Sequence, residues 1–470
     1  MKLNKRIKFL YGFGFSAQGI KDALFQLFLF FYFSQILGLN ATYTGLATVI
    51  ALLFDAVTDP WVGTLSDRWK SKTLGRRHPF MILSAFPLGL TLFLLFSPPE
   101  NLDQIDLFLW LTVFSVLVRV SLTLFIVPGM SLGAELTDDY EERTSVTSYR
   151  VMFSSFVGPL ILIFGLVIFF SPTEEFSNGL FNEAAYSKFA LLCGVLATTV
   201  ILISSYGTKS SIPNLPKSIQ NESEKGLKSS LKNLKEAIKL PAYTSLVSYS
   251  MIVYIGLGIG TVLTTYFTTY FFELSERELA ILPIASGLGG ITSLFIAPLM
   301  GRFLDKKKSV VFSTLIFGLF FSLPFLMRLV NLFPENGSSG LLPAYLLTLF
   351  IAYNFLWVSI AVTNSMMADV VDEYQSIYNK RNEGFFFSTM SFAYKCTVGF
   401  GYFFAGVLLD FIAFPKQVTQ VSEIHPEVIN GLGIIGGPLL LLIYLSGIFF
   451  VMRYSIDKTR YLEIKNKIQN

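Results

Sequence analysis

The chain has 470 residues, of which 53% are hydrophobic, 16% are aromatic and only 14% are charged, and its mean hydropathy is +0.58. Since a soluble protein carries roughly 25% charged residues, this composition excludes an ordinary soluble protein and indicates an integral membrane protein. The net charge of +4 carries little information by itself, because the positions of Lys and Arg matter more than their sum.

Repeated apolar runs of about 20 residues predict membrane-spanning helices, and the absence of alternating ten-residue strands argues against a barrel. The fold class is therefore an all-α membrane protein with two bundles of six helices. Twelve spans are predicted, at 10–37, 43–65, 80–97, 107–132, 147–170, 187–206, 243–272, 279–300, 310–330, 342–367, 385–411 and 432–454.

The polar segment 207–241 separates the two sets of six spans. It predicts an N-terminal bundle over 1–206, a cytoplasmic linker, and a C-terminal bundle with a short tail over 242–470. Within the linker, Lys225 to Lys239 is expected to form a short surface helix.

The orientation of the chain follows from its positive charges. Most of its 36 Lys and Arg lie in segments on the side of the N-terminus. The opposite loops hold Lys188, Arg277, Arg328 and Lys416. By the positive-inside rule, both termini are predicted to be cytoplasmic.

An internal repeat relates the two halves. Pro60-x-x-Gly63-x-x-x-Asp67-Arg68 recurs as Pro298-x-x-Gly301-x-x-x-Asp305-Lys306. Both copies end the second span of their half on the cytoplasmic side. Repeated six-helix units are typical of transporters built from two rocking bundles.

Asp55 lies about halfway along the second span, and Asp59 follows one helical turn later. This spacing puts both carboxylates on one helix face, about 6 Å apart. They repel each other, so one must bind a proton or both must share a cation. Pro60 frees the carbonyl of Ala56, which adds an oxygen suited to a hard cation. The alternative is that both acids pair with basic residues on neighbouring helices.

Other charged residues also lie inside predicted spans. Lys21 and Asp22 point about 100° apart, so one can pair with a neighbour while the other faces a cavity; a purely structural ion pair is the alternative. Arg119 is suited to binding a carboxylate or phosphate, or equally pairs with an acid of the first or second span. Lys395 is expected to pair with Asp55 or Asp59.

Charged residues at the predicted cytoplasmic ends are interpreted as a gate, whose salt bridges close the inward side. The alternative is that they are solvated and contribute little, since exposed ion pairs are weak. The gate is predicted to comprise Gly63, Asp67, Arg68, Glu135, Arg143, Gly301, Asp305, Lys306, Asp372 and Arg381.

Several motifs together resemble one known family. They are Lys21-Asp22, Asp55-x-x-x-Asp59-Pro60, Gly75-Arg76-Arg77, Glu135 to Arg143 with Arg150, Asp369 to Tyr374, Arg381 to Gly384, and Lys395. They resemble the glycoside–pentoside–hexuronide:cation symporters of the major facilitator superfamily, the melibiose permease-like family. The resemblance covers nearly the whole chain and implies two six-helix bundles around a cavity that opens alternately to each side.

The resemblance also implies roles for individual residues. Asp55 and Asp59 match cation-binding carboxylates, and Thr123 matches a hydroxyl beside them. Asp22 and Arg150 match sugar contacts, and Lys395 matches a lysine between the sugar and cation sites. Including Lys21 and Arg119, which share these spans, the predicted solute site comprises Lys21, Asp22, Arg119, Ile126, Met130, Arg150 and Lys395.

Three positions depart from the family pattern. Ile126 stands where a sugar-binding aspartate is expected, and Met130 stands where a sugar-stacking tryptophan is expected. Thr58 replaces an asparagine that favours Na⁺, although its hydroxyl remains a possible cation ligand. These departures argue against a melibiose-type galactoside as the solute.

The sequence contains no nucleotide-binding loop, metal-ligand cluster or nucleophile–base set, so we expect neither an enzyme nor a cofactor, and no metal other than transported Na⁺. We expect a monomeric secondary transporter in a bacterial-type cytoplasmic (inner) membrane. It would interact with lipid, a small solute and a coupling cation, Na⁺ or H⁺, and not with nucleic acid.

The expected solute is sugar-like. Because the basic side chains within the spans outnumber the acidic ones, an anionic glycoside or uronate is expected to be preferred, with Arg119 as its partner. An alternative is Na⁺-coupled transport of a lysophospholipid, since Ile126 suits an acyl chain. A non-transporting membrane sensor is a further alternative.

Overall fold

The computed structural model describes residues 3–69, 71, 73–137, 139–214, 227–380, 382–418 and 420–469. These residues are mostly helical, and no strand occurs among them. The helices are α1 (Lys5–Gly14), α2 (Ser16–Ala23), α3 (Ala41–Arg68), α4 (His78–Leu95), α5 (Gln104–Glu135), α6 (Tyr140–Phe164), α7 (Glu183–Thr208), α8 (Leu227–Ala237), α9 (Pro241–Tyr266), α10 (Glu276–Phe303), α11 (Lys306–Leu329), α12 (Leu341–Tyr378), α13 (Glu383–Phe411), α14 (Pro426–Ile434), α15 (Leu440–Val451) and α16 (Lys458–Gln469).

Eleven helices in the described part of the chain are long and apolar enough to cross a membrane. The predicted first span is also helical, but it is divided. After α1 and α2 come two π-helical segments, Leu24–Leu29 and Tyr32–Ile36. The prediction of an all-α protein with twelve spans is confirmed, whereas the cytoplasmic location of the termini stays a prediction.

Several helices extend past the apolar run that identified them. The predicted span ended at 367, whereas α12 continues to Tyr378. Asp369 and Asp372 therefore lie on this helix and not in a loop that follows it. α5 likewise ends at Glu135. Hydropathy marks only the part of a helix that lies in lipid, whereas backbone hydrogen bonding continues into water.

The chain divides into two compact units. The first comprises the described residues of 1–220, 275–280 and 414–420, and the second comprises those of 221–274, 281–413 and 421–470. In the first unit α5 packs against α3 and α4, α4 against α7, and α6 against α1 and α2. In the second unit α9 packs against α13 and α15, and α11 packs against α12 and α15. α8 forms the short helix predicted in the linker, while the predicted linker boundaries stay a prediction.

Glycines bring helices together at corresponding places in the two units. A Cβ atom on Gly19 of α2 would lie 2.8 Å from the backbone nitrogen of Gly158 in α6. A Cβ atom on Gly258 of α9 would lie 2.9 Å from the Cα of Gly401 in α13. Each crossing joins the first and fifth spans of a half. Only residues without a Cβ allow backbones this close, so these contacts extend the internal repeat seen in the sequence.

We expect Gly258→Ala to destabilise the protein by about 1–3 kcal/mol, because its Cβ would meet the carbonyl oxygen of Val398 at 2.6 Å. Gly287→Ala in α10 is the matched control, since a Cβ there meets nothing within 4 Å. Thermal unfolding of the two variants in detergent should separate them by several degrees. Equal melting temperatures would contradict the close crossing.

Candidate cation and solute sites

The acidic pair is held by the packing of α3 on α5. Asp55 is 8% exposed on α3, and Thr123 is 4% exposed on α5. The Thr123 hydroxyl oxygen lies 3.0 Å from Oδ1 of Asp55 and 2.9 Å from Oδ1 of Asp59. The structure therefore brings together three of the side chains that the sequence assigned to the cation site, and it does so across two helices.

These three oxygen-bearing groups can hold a small cation. A hydroxyl has one proton to donate, so Thr123 can fully satisfy only one of the two carboxylates at a time. Carboxylate and hydroxyl oxygens suit a hard ion such as Na⁺, and a proton shared by the two acids would also relieve their repulsion. The geometry is compatible with either ion.

Thr58 has a different orientation. Its hydroxyl donates to the backbone carbonyl of Asp55, at 3.3 Å, within the same helix. Such a bond to the preceding turn is common for threonine in helices and leaves the oxygen lone pairs available. Its role as a cation ligand stays a prediction.

Arg119 lies against the acidic pair. Its Nη1 is 3.7 Å from Oδ2 of Asp55, and both side chains are 11% exposed. The guanidinium carbon also lies 5.4 Å from the ring centroid of Phe25, in the first π-helical segment. Of the two alternatives for Arg119, this geometry supports pairing with an acid of the second span.

Lys21 and Asp22 form an ion pair with each other. Of the two alternatives left open by the sequence, this contact supports the ion pair, while the place of both residues in the solute site stays a prediction. Both residues lie in α2, and the Lys21 ammonium also lies 5.3 Å from the centroid of the Phe25 ring. Asp22 remains the more accessible of the two, with 32% of its side chain exposed against 12% for Lys21.

The other predicted solute residues lie on three helices. Ile126 and Met130 continue along α5 from Thr123, and Met130 is 47% exposed. Arg150 lies on α6 with its guanidinium 5.9 Å from the centroid of the Phe15 ring. Lys395 is half-buried on α13, in the second unit. The predicted pairing of Lys395 with the acids of the first unit stays a prediction.

Arg77 organises the charges at the end of α3, although it was not among the predicted gate residues. It is 5% exposed. Its Nη2 lies 2.6 Å from Asp67 Oδ1 and 2.7 Å from Glu135 Oε1, and its Nη1 donates to Ser66. Arg76 adds a contact of 3.1 Å to Glu135. Arg76 and Arg77 belong to a motif that the sequence singled out for the family, so a signal for them existed.

The second copy of the repeated motif makes different contacts. The Lys306 ammonium lies 2.6 Å from Asp369 of α12. Asp305 instead caps α11, because its carboxylate accepts a hydrogen bond from the backbone N–H of Lys306. Arg460 of α16 lies 3.8 Å from Glu373. Like the cluster around Arg77, these contacts lie within a single unit.

The remaining gate residues have less defined roles. Arg143 donates from Nε to the carbonyl of Thr137, at 2.9 Å. Arg381 lies outside the described residues. The gate as a whole stays a prediction, and its other members lie at helix positions as follows: Gly63 and Arg68 on α3, Gly301 on α10 and Asp372 on α12.

An ion pair near the start of the chain was also not predicted. The Lys8 ammonium of α1 lies 2.6 Å from the Glu142 carboxylate of α6. The hydrogen bond from Lys8 holds the pKa of Glu142 below its usual value. The pair therefore stays charged under mildly acidic conditions and fastens α1 to the beginning of α6.

The sequence profile of the family described as MFS/sugar transport protein matches residues 10–458. The chain belongs to this family. The resemblance to the glycoside–pentoside–hexuronide:cation symporters is thereby confirmed.

The relatives of this chain have diverse names. The chain is 24% identical to YagG of Escherichia coli, which is named as a glycoside/cation symporter, over 99% of this chain and 95% of YagG. It is 23% identical to the isoprimeverose transporter of Lactiplantibacillus pentosus, over 88% of this chain and 82% of that protein. It is 24% identical to the sodium-dependent lysophosphatidylcholine symporter 1 of Gallus gallus, over 94% and 85%.

The fold is also similar to that of solved transporters. The inward-open structure of the xylose transporter XylE from E. coli aligns with a TM-score of 0.58 at 12% identity, covering 98% of both chains. An identity this low shows a shared fold alone. It supports the twelve-span architecture of this chain.

We expect Glu135→Gln to destabilise this transporter by roughly 2 kcal/mol, because it leaves the buried Arg77 with a weaker partner. Asp67→Asn is the matched control: Asp67 contacts the same guanidinium, but its side chain is 59% exposed, so its loss should cost less than about 1 kcal/mol. Unfolding in detergent measures both. Equal losses would show that Glu135 has no special role in this cluster.

Proposed function

We propose that the protein is a secondary active symporter that carries Na⁺ or H⁺ together with a sugar-like solute. The observation that carries this proposal is the shared contact of the Thr123 hydroxyl with Asp55 and Asp59. Two carboxylates, buried or partly buried in a membrane span, are costly unless they bind something, and a transported cation fits that need.

The coupling follows from charge. A cation bound between Asp55 and Asp59 cancels their repulsion and allows the helices around them to pack closely. When the solute binds more strongly to this compact state, the bound ion raises the affinity for the solute. By linkage, the bound solute raises the affinity for the ion by the same factor. A single uncompensated charge in a closing apolar cavity opposes the movement, so the loaded carrier crosses and the half-loaded one does not.

A glycoside is the solute class that we favour. The names of YagG and the isoprimeverose transporter point to sugar-linked solutes for those proteins. The apolar Ile126 and Met130 support a solute other than a melibiose-type galactoside. The preference for an anionic glycoside stays a prediction, and the contact of Arg119 with Asp55 weakens the charge argument behind it.

A lysophospholipid is the second candidate solute. The relative from Gallus gallus is named as a sodium-dependent symporter of such a lipid. On α5, Met130 is 47% exposed and Ile126 is half-buried, which gives an apolar strip that suits an acyl chain. Uptake of lysophosphatidylcholine and of a panel of glycosides by the same proteoliposomes distinguishes the two solutes.

We further propose that the carrier works as a monomer in a bacterial-type inner membrane, without a cofactor, nucleic acid or catalytic step. The family and the similar structures are transporters, and this supports transport as the complete activity.

We expect Asp55→Asn and Asp59→Asn each to reduce gradient-driven accumulation at least tenfold, because each removes an anionic ligand while preserving shape. Asp106→Asn is the control: Asp106 lies exposed at the start of α5, far along the helix from Thr123, and its loss should change nothing. The assay is solute uptake into proteoliposomes with imposed Na⁺ or H⁺ gradients.

Exchange of solute across the membrane at equal concentrations should survive in both variants, since it needs no net energy input. If both variants still accumulate solute as the wild type does, the coupling ion binds elsewhere.

A further inference from the structure

The two carboxylate oxygens of Asp55 face different partners. Oδ1 lies 3.0 Å from the Thr123 hydroxyl, on the side shared with Asp59. Oδ2 lies 3.7 Å from Nη1 of Arg119. A positive charge that belongs to the protein therefore lies beside the candidate cation site, on the opposite edge of one of its ligands.

Arg119 is held in this position by its surroundings. Its side chain is 11% exposed, and its guanidinium lies 5.4 Å from the centroid of the Phe25 ring, a contact suited to a cation and an aromatic face. Phe25 is itself 4% exposed. The Nε of Arg119 is buried without a hydrogen-bond partner among the described residues. A desolvated guanidinium packed in this way keeps its charge directed at Asp55.

We propose that Arg119 is a resident cation that sets how tightly the Asp55–Asp59–Thr123 site binds Na⁺. The inference rests on the proposed function and adds a determinant of ion affinity to it. A Na⁺ ion beside Oδ1 of Asp55 would stand only a few ångströms from the guanidinium. At the effective dielectric of a partly buried site, repulsion over that distance weakens ion binding by roughly tenfold or more.

The same charge has a second consequence for the transport cycle. When no ion is bound, Arg119 still compensates the charge of Asp55, and this lowers the cost of moving the empty carrier across the membrane. Arg119 thus weakens ion binding while it assists the return of the empty carrier. This role acts on the ion, and it does not require Arg119 to touch the solute.

Ion binding by the purified full-length protein tests the proposal directly, with Na⁺ alone as the probe. We expect Arg119→Gln to lower the apparent Kd for Na⁺ at least tenfold. Arg119→Lys keeps the charge and should stay within about threefold of the wild type. If Arg119→Gln does not fold, as judged by thermal unfolding, Arg119→Met fills the same space without the charge and takes its place.

Transport by the same variants gives a second readout. Without the resident charge, net uptake, which requires the return of the empty carrier, should slow more than exchange, which does not. A role in packing alone would lower both rates together and leave Na⁺ affinity unchanged.

Asp59→Asn separates failure of this inference from failure of the proposed function. If Asp59→Asn abolishes Na⁺ binding while Arg119→Gln leaves it unchanged or weaker, the role of Arg119 is overturned and the cation site stands. If Asp59→Asn leaves Na⁺ binding intact, the cation site itself is wrong. Tighter binding by Arg119→Gln that Asp59→Asn removes supports both.

Discussion

The repulsion between Asp55 and Asp59 is the constraint on which the first unit depends. Two acids one turn apart in a membrane span cannot both remain charged and uncompensated. The packing of α3 on α5 meets this constraint with two side chains of α5. Thr123 contacts the Oδ1 atoms of both acids, and Arg119 lies near Oδ2 of Asp55. Positions 119 and 123 are one helical turn apart, so a single helix face supplies both.

The charged contacts at the helix ends have a different character. Arg77 links Asp67 and Glu135 in the first unit, and Lys306 contacts Asp369 in the second. Each contact joins helices of the same unit, as do the crossings at Gly19 and Gly258. Such contacts preserve the packing inside a unit, which suits a transporter whose halves are expected to move largely as rigid bodies.

The grouping of side chains at the candidate cation site could largely be predicted from the sequence, whereas the surroundings of that site could not. Spacing placed Asp55 and Asp59 on one face, and family resemblance added Thr123. The partner of Arg119 was left open, because a sequence specifies the faces of a helix but not which neighbour each face meets.

The ion pair between Lys21 and Asp22 was left open by the sequence for a related reason. Helical geometry separates adjacent residues by 100°, but a long lysine side chain can fold back over that angle. Arg77 was missed as an organising residue because its burial depends on the ends of α3 and α5. Those ends extend beyond the apolar runs from which the spans were predicted.

Simultaneous measurement of cation and solute flux tests the central claim most directly. Proteoliposomes containing the wild-type protein would be supplied with solute and with either radioactive Na⁺ or a trapped pH indicator. With no imposed ion gradient, the account predicts that solute entry drives the entry of one of these ions in a fixed ratio. Solute entry that moves neither Na⁺ nor H⁺ would contradict the assignment of Asp55 and Asp59 as the coupling site.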